Sequence, residues 1–149
     1  MTNQISLRSK SLPQGGSKMK HSEYFSKVNG HGFLATADSE GHVDIAIYAK
    51  PHIMDDDTFA FIMPDRLTHN NLQSNPYAAY LFMEKEGKLA GKRFFLKKIK
   101  EEKDTELLYS IRRKNYGEPE GRYLVYFQVD KILPLIGSDE GKGVDGKKD

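Results

Sequence analysis

The densest concentration of groups suited to chemistry lies in the segment IMPDRLTHNNLQSNP, residues 62–76. An apolar run ends at Pro64, and a short helix is expected from about Thr68 to Ser74, stopped by Asn75-Pro76 because the residue before proline avoids helical geometry. A helix start presents unpaired backbone N–H groups and the positive end of the helix dipole. Arg66 adds a fixed cation whose forked donors match phosphate oxygens, and Thr68 adds a hydroxyl. Together these groups form a reasonable phosphate cradle. A plainer reading fits the same residues: Asp65 or Thr68 caps a short helix while Arg66 is solvated. Local pattern leaves both readings open.

Elsewhere the chemical signals are thinner. Asp55-Asp56-Asp57 reads as a solvated turn, since a hard cation needs more oxygen ligands in a defined geometry; no metal site is expected. Among the five histidines, His69 is placed near the cradle and His52 near a cleft, but neither has a partner pattern that marks a catalytic base. No nucleophile-elbow motif supports Ser/His/Asp chemistry. The basic cluster Lys88, Lys92, Arg93, Lys97, Lys98 and Lys100 is balanced by Glu101, Glu102 and Asp104, so it reads as a solvated face rather than a nucleic-acid surface. Tyr77, Tyr80, Phe94, Phe95 and Tyr126 read as core and interface aromatics.

Bulk properties narrow the classes. The chain has 149 residues, enough for one domain with its own core. Its 23 basic and 21 acidic residues give a net charge of +2, too even for nucleic-acid binding by bulk electrostatics. With no cysteine, disulfides, thiolate zinc sites, iron–sulfur clusters and cysteine nucleophiles are excluded. The same absence fits a reducing, cytoplasmic setting. No apolar run approaches the ~20 residues of a membrane span, and no secretory signal pattern is read at the N-terminus.

The elements that must position the cradle follow from hydrophobic periodicity. Residues 1–18 read as a flexible arm, 19–137 as the folded domain and 138–149 as a disordered tail. A helix is expected over Met19–Val28, then a strand over Gly32–Ala37 and a hairpin loop at Asp38–Gly41. His42–Ala49 is the second strand, which Pro51 bends or confines to an edge. Thr58–Met63 is apolar throughout and therefore buried. Beyond the short helix come strands at Tyr77–Met83 and Lys92–Ile99, the latter with a bulge. A helix capped by Asp104 and ending near Tyr116 precedes a last strand over Tyr123–Val129. Six short strands joined mostly by tight turns predict a mainly β fold, an antiparallel barrel with a few short helices.

The run GFLATADSEGHVDIAIYAKPHIMDDDTFAFIMPDRLTHNNLQSNPYAAYLFM resembles the pyridoxamine 5′-phosphate oxidase-like, FMN-binding split-barrel family. Its opening GFLATAD-EG, the strand ending just before a helix, and NL-SNP before the next strand carry the resemblance. It is good from Phe33 to Met83 and looser to Val129. The resemblance implies a six-stranded antiparallel split barrel, working as a homodimer with FMN in clefts between subunits. The phosphate would meet Arg66, Leu67 and Thr68. The ring would lie against Ala46, Ile47, Tyr48 and Ala49, bordered by Ile62, Met63 and Pro64, with Lys92 and Arg93 on the fifth strand near ring or phosphate. The phosphate loop is less basic than in pyridoxamine phosphate oxidases, and their C-terminal substrate extension is not found. The implied function is a flavin-dependent oxidoreductase acting on an unidentified small substrate. Related families with this fold bind haem, a deazaflavin, or FMN without turnover, so a cofactor carrier or sensor is the alternative.

Overall fold

The computed structural model describes residues 20–112 and 121–138. The expected arm, all of the tail except Ser138, and the end of the third helix lie outside the described residues. The elements run α1 (His21–Lys27), β1 (Gly30–Ala37), β2 (Val43–Ile47), β3 (His52–Asp55), β4 (Thr58–Pro64), α2 (Leu67–Ser74), β5 (Tyr77–Glu84), β6 (Gly91–Lys103), α3 (Glu106–Ile111) and β7 (Arg122–Pro134). The sheet has seven strands in the order β2-β1-β5-β6-β7-β4-β3, and every pairing is antiparallel.

Two expectations need correction. The strand count is seven rather than six, because Pro51 divides the expected second strand into β2 and β3, which end up at opposite edges of the sheet. Proline cannot donate to a ladder, so the chain leaves one edge there and joins the other. The sheet also does not close, since β2 and β3 are its two ends. The third helix begins one turn of chain later than expected: Thr105, not Asp104, is its cap and accepts from the Leu108 N–H at 3.2 Å. Asp104 instead sits at φ 53° in the left-handed region, and its carboxylate accepts from the Gly121 N–H at 3.0 Å. The expected bulge in β6 is present, with register shifts between Phe95 and Leu96 and between Lys98 and Lys100.

Strand alternation sorts the core into two faces. Phe59, Phe61 and Met63 of β4 and Val125 and Phe127 of β7 enter the main core with Leu34, Tyr80, Phe82, Phe94 and Leu96. The residues between them, Ala60, Ile62, Leu124 and Tyr126, face the opposite way and pack against Leu108 of α3. Helix α1 plugs the main core: Phe25 is buried, and its ring centroid lies 5.3 Å from Phe82 and 5.6 Å from Phe94. Aromatic edge-to-face contacts of this kind add to the burial they accompany. Tyr24 beside it donates a 2.6 Å hydrogen bond to Glu84; burial first, and then that carboxylate, push its phenol well above the usual tyrosine range.

Candidate functional site

Asp44, Ala46 and Tyr48 alternate along β2 and face the start of α2, while Ile62 and Pro64 alternate along β4 toward the same place. Together with Ile47, Arg66, Leu67, Thr68 and Arg122 they line a cleft of about 340 Å³. One end is apolar and the other carries the two guanidinium groups, the Thr68 hydroxyl and the first turn of α2. That helix opens with an extended Arg66, whose carbonyl accepts from the Asn70 N–H at 2.8 Å. Arg66 itself is exposed, so no capping side chain covers the helix start; the plainer reading of a capped helix finds no side-chain cap bond there.

Buried polar contacts hold α2 in place. The Asn71 amide donates to the Thr36 hydroxyl of β1 at 3.1 Å, with both residues buried. His69 is 5% exposed. Its Nδ1 lies 3.2 Å from Asp65, and its Nε2 3.1 Å from each oxygen of Glu101 on β6. Burial alone would raise the Glu101 carboxyl, but hydrogen bonds from Lys98, Gln73 and His69 outweigh it and hold it at about 2. Thr68 is 6% exposed, and its hydroxyl points toward Asp44 at 3.5 Å, a long and weak contact. A ligand oxygen is therefore a better partner for that hydroxyl than the one it has.

Of the expected site residues, Ala46, Ile47, Tyr48, Ile62, Pro64, Arg66, Leu67 and Thr68 come together at this cleft. Four do not line it. Met63 is fully buried in the main core, because alternation along β4 turns it away from Ile62 and Pro64. The Ala49 side chain is exposed, and its carbonyl accepts from the Tyr80 hydroxyl at 3.0 Å. Lys92 stands over the Tyr24 ring at 4.3 Å. Arg93 donates to the Pro134 carbonyl at 2.9 Å and to that of Gly137. Lys92 instead borders a larger opening of about 700 Å³ beside β7. That opening mixes Lys92 and Lys131 with Asp57 and Asp130 and has no helix start, so it lacks an anion cradle.

Sequence reading missed Asp44 and Arg122. Asp44 was accessible to it, since it shares a strand face with Ala46 and Tyr48. Arg122 was not: it joins the cleft through the register that sets it opposite Pro64, and nothing local encodes that pairing.

No protein-family model matches the chain. No curated protein matches it either. Solved structures do. HupZ from Group A Streptococcus is similar at 20% identity and a TM-score of 0.65, over 83% of this chain and 100% of that one. An FMN-binding protein from Syntrophomonas wolfei is similar at 18% identity and a TM-score of 0.64, over 75% and 81%. An F420 reductase is similar at 15% identity and a TM-score of 0.59, over 81% and 98%. The chain therefore has the split-barrel fold shared by these cofactor-associated proteins, in an open seven-stranded form.

Proposed function

We propose that the cleft binds FMN and that the protein is a flavin-dependent oxidoreductase acting on a small substrate. The observation that carries the reading is the convergence of Arg66, Thr68 and the first turn of α2 at one end of a cleft whose other walls are Ala46, Ile47, Ile62 and Leu67. The donor set fits the molecule: cationic and N–H donors suit a phosphate, and apolar walls suit a flat ring. The volume, 340 Å³, sits near the lower end of the roughly 300–1,000 Å³ of small-molecule pockets, as expected of one subunit's share of a site.

When bound, FMN supplies hydride or electron transfer. The chain's own residues bind and orient it. Arg66 and the α2 N–H groups neutralise the phosphate, and Thr68 donates its hydroxyl. Ile47 and Ile62 exclude water from the apolar end.

The reading includes a homodimer. Val43, Ile45 and Ile47 are 81%, 67% and 69% exposed along the edge strand β2. An exposed apolar edge invites pairing and is normally covered. A second copy laid on this stripe would cover it and wall the cleft at Ile47, which belongs to both.

The neighbours include a reductase and a protein described only as FMN-binding, so carriage without turnover uses the same cleft. FMN titration tests binding: quenching of flavin fluorescence with one site per chain is expected, and Arg66→Ala should weaken it by about tenfold or more. NAD(P)H oxidation that depends on added FMN separates enzyme from carrier; its absence with every donor leaves the carrier reading.

A further inference from the structure

We propose that Arg122 is the second phosphate-binding cation of this cleft and that the pair Arg66 and Arg122, set against Asp44, makes the site select a phosphorylated ligand over its dephosphorylated form. The inference rests on the reading of the cleft as an FMN site.

Register brings Arg122 there. It lies directly opposite Pro64 in the β4–β7 ladder, as Leu124 lies opposite Ile62. Residues directly opposite in an antiparallel pair project from the same face. Arg122 therefore joins Pro64 and Ile62 on the cleft side, and all three line it. Arg66 arrives from the loop before α2, so two elements distant in sequence supply the two cations.

The main chain at Arg122 is fixed before any ligand arrives. Its carbonyl accepts from the Asp104 N–H at 3.2 Å, and its N–H donates to the Asp104 carboxylate at 3.4 Å. The adjoining Gly121 N–H donates to the same oxygen at 3.0 Å. Asp104 holds a left-handed backbone at φ 53° to make these contacts, and Gly121 a second at φ 74°. Positive φ costs a non-glycine residue on the order of 1 kcal/mol, and here it sets the Arg122 Cα at the mouth of the cleft.

Charge makes the second arginine necessary. Asp44 lines the same cleft, so Arg66 alone would face an equal and opposite charge. Two guanidinium groups and one carboxylate leave a net +1. A phosphomonoester brings about −1.5 to −2 at neutral pH, and only the two-arginine cleft attracts it. Asp44 in turn lowers the attraction for the charged ligand without touching that for a neutral one.

The test titrates FMN and riboflavin against the full-length wild type, Arg122→Gln, Arg122→Lys and Asp44→Asn, with thermal melts as the folding control. Arg122→Gln should weaken FMN by about tenfold or more, since a hydrogen bond to a charged group is worth about 1.5–3 kcal/mol, and leave riboflavin within about twofold. Arg122→Lys should recover part of the loss, because it restores charge but not the fork. Asp44→Asn, which keeps an acceptor for Thr68, should tighten FMN severalfold and leave riboflavin unchanged. An unchanged FMN-to-riboflavin ratio in Arg122→Gln, or equal loss of both ligands, overturns the assignment while the FMN site stands. Should Arg122→Gln not fold, Asp44→Asn decides: weaker or unaltered FMN binding overturns the charge balance. A wild type that binds neither ligand removes the underlying FMN reading instead.

Discussion

His69 of α2 stacks on Tyr123 of β7, with ring centroids 3.8 Å apart and planes 18° from parallel. The same imidazole reaches Glu101 on β6 and Asp65 before the helix, so one buried side chain ties the start of α2 to two strands. The cleft residues Leu67 and Thr68 sit one and two positions before it. His69→Ala should lower unfolding free energy by on the order of 2–3 kcal/mol, from lost stacking and from carboxylates left unpaired, as measured in urea. It should also weaken FMN binding through a displaced helix start. Normal affinity in a destabilised His69→Ala protein would mean that α2 is not held at the cleft by this contact.

Glu101 gives the fold an acid limit. Its folded value of about 2 lies below the ordinary 4.5, so the unfolded chain takes up the proton first. The stabilisation is complete above about pH 4.5 and is lost as pH falls toward 2. Glu101→Gln should reduce the fall in melting temperature across that window and lower stability near neutral pH. A variant whose melting temperature falls as steeply as the wild type's would contradict the role given to this carboxylate.

Tyr80 fixes the far end of β2. Its hydroxyl lies 3.1 Å from the Tyr48 carbonyl and 3.0 Å from that of Ala49, and Gly32 leaves the room it needs: a Cβ there would strike the hydroxyl and stand 2.6 Å from the Tyr48 carbonyl. Tyr80→Phe should cost about 1–2 kcal/mol. Gly32→Ala should cost more, and the double variant less than the sum, because one of the two clashes disappears with the hydroxyl. Strict additivity in a double-mutant cycle would sink this account.

The exposed stripe on β2 makes the oligomer testable. Ile45→Asp places a charge in the middle of Val43, Ile45 and Ile47 without entering either core. It should shift a dimeric wild type to monomer in sedimentation and reduce FMN affinity along with it. A monomeric protein that still bound FMN tightly would rule out the shared cleft.

Much of the architecture was legible because alternation and turn chemistry are local. Gly41 at φ 88° closes the hairpin after Asp38, and the buried run Phe59–Met63 and the proline-stopped α2 stand where their patterns put them. The two-edge arrangement on either side of Pro51 was half legible: the proline marked a break, but which edge the chain joined next depends on long-range pairing. The cradle residues Arg66, Leu67 and Thr68 were legible as a helix start, and the alternation that separates Met63 from Ile62 and Pro64 could have been applied to β4 beforehand. Arg122 lay beyond local reasoning, since its membership in the cleft comes from a pairing between residues 58 positions apart, as 122 minus 64 gives. The placement of Arg93 against the Pro134 carbonyl likewise depends on how β7 extends past Val129.

The central claim is that this cleft holds FMN. The most direct measurement is to purify the protein, release whatever small molecule accompanies it, and identify that molecule by mass and absorbance, repeating after incubation with FMN. FMN at up to one per chain, released with the native protein or retained after incubation and gel filtration, is the predicted result. A haem or a deazaflavin in its place, or no retained flavin after incubation, would contradict it.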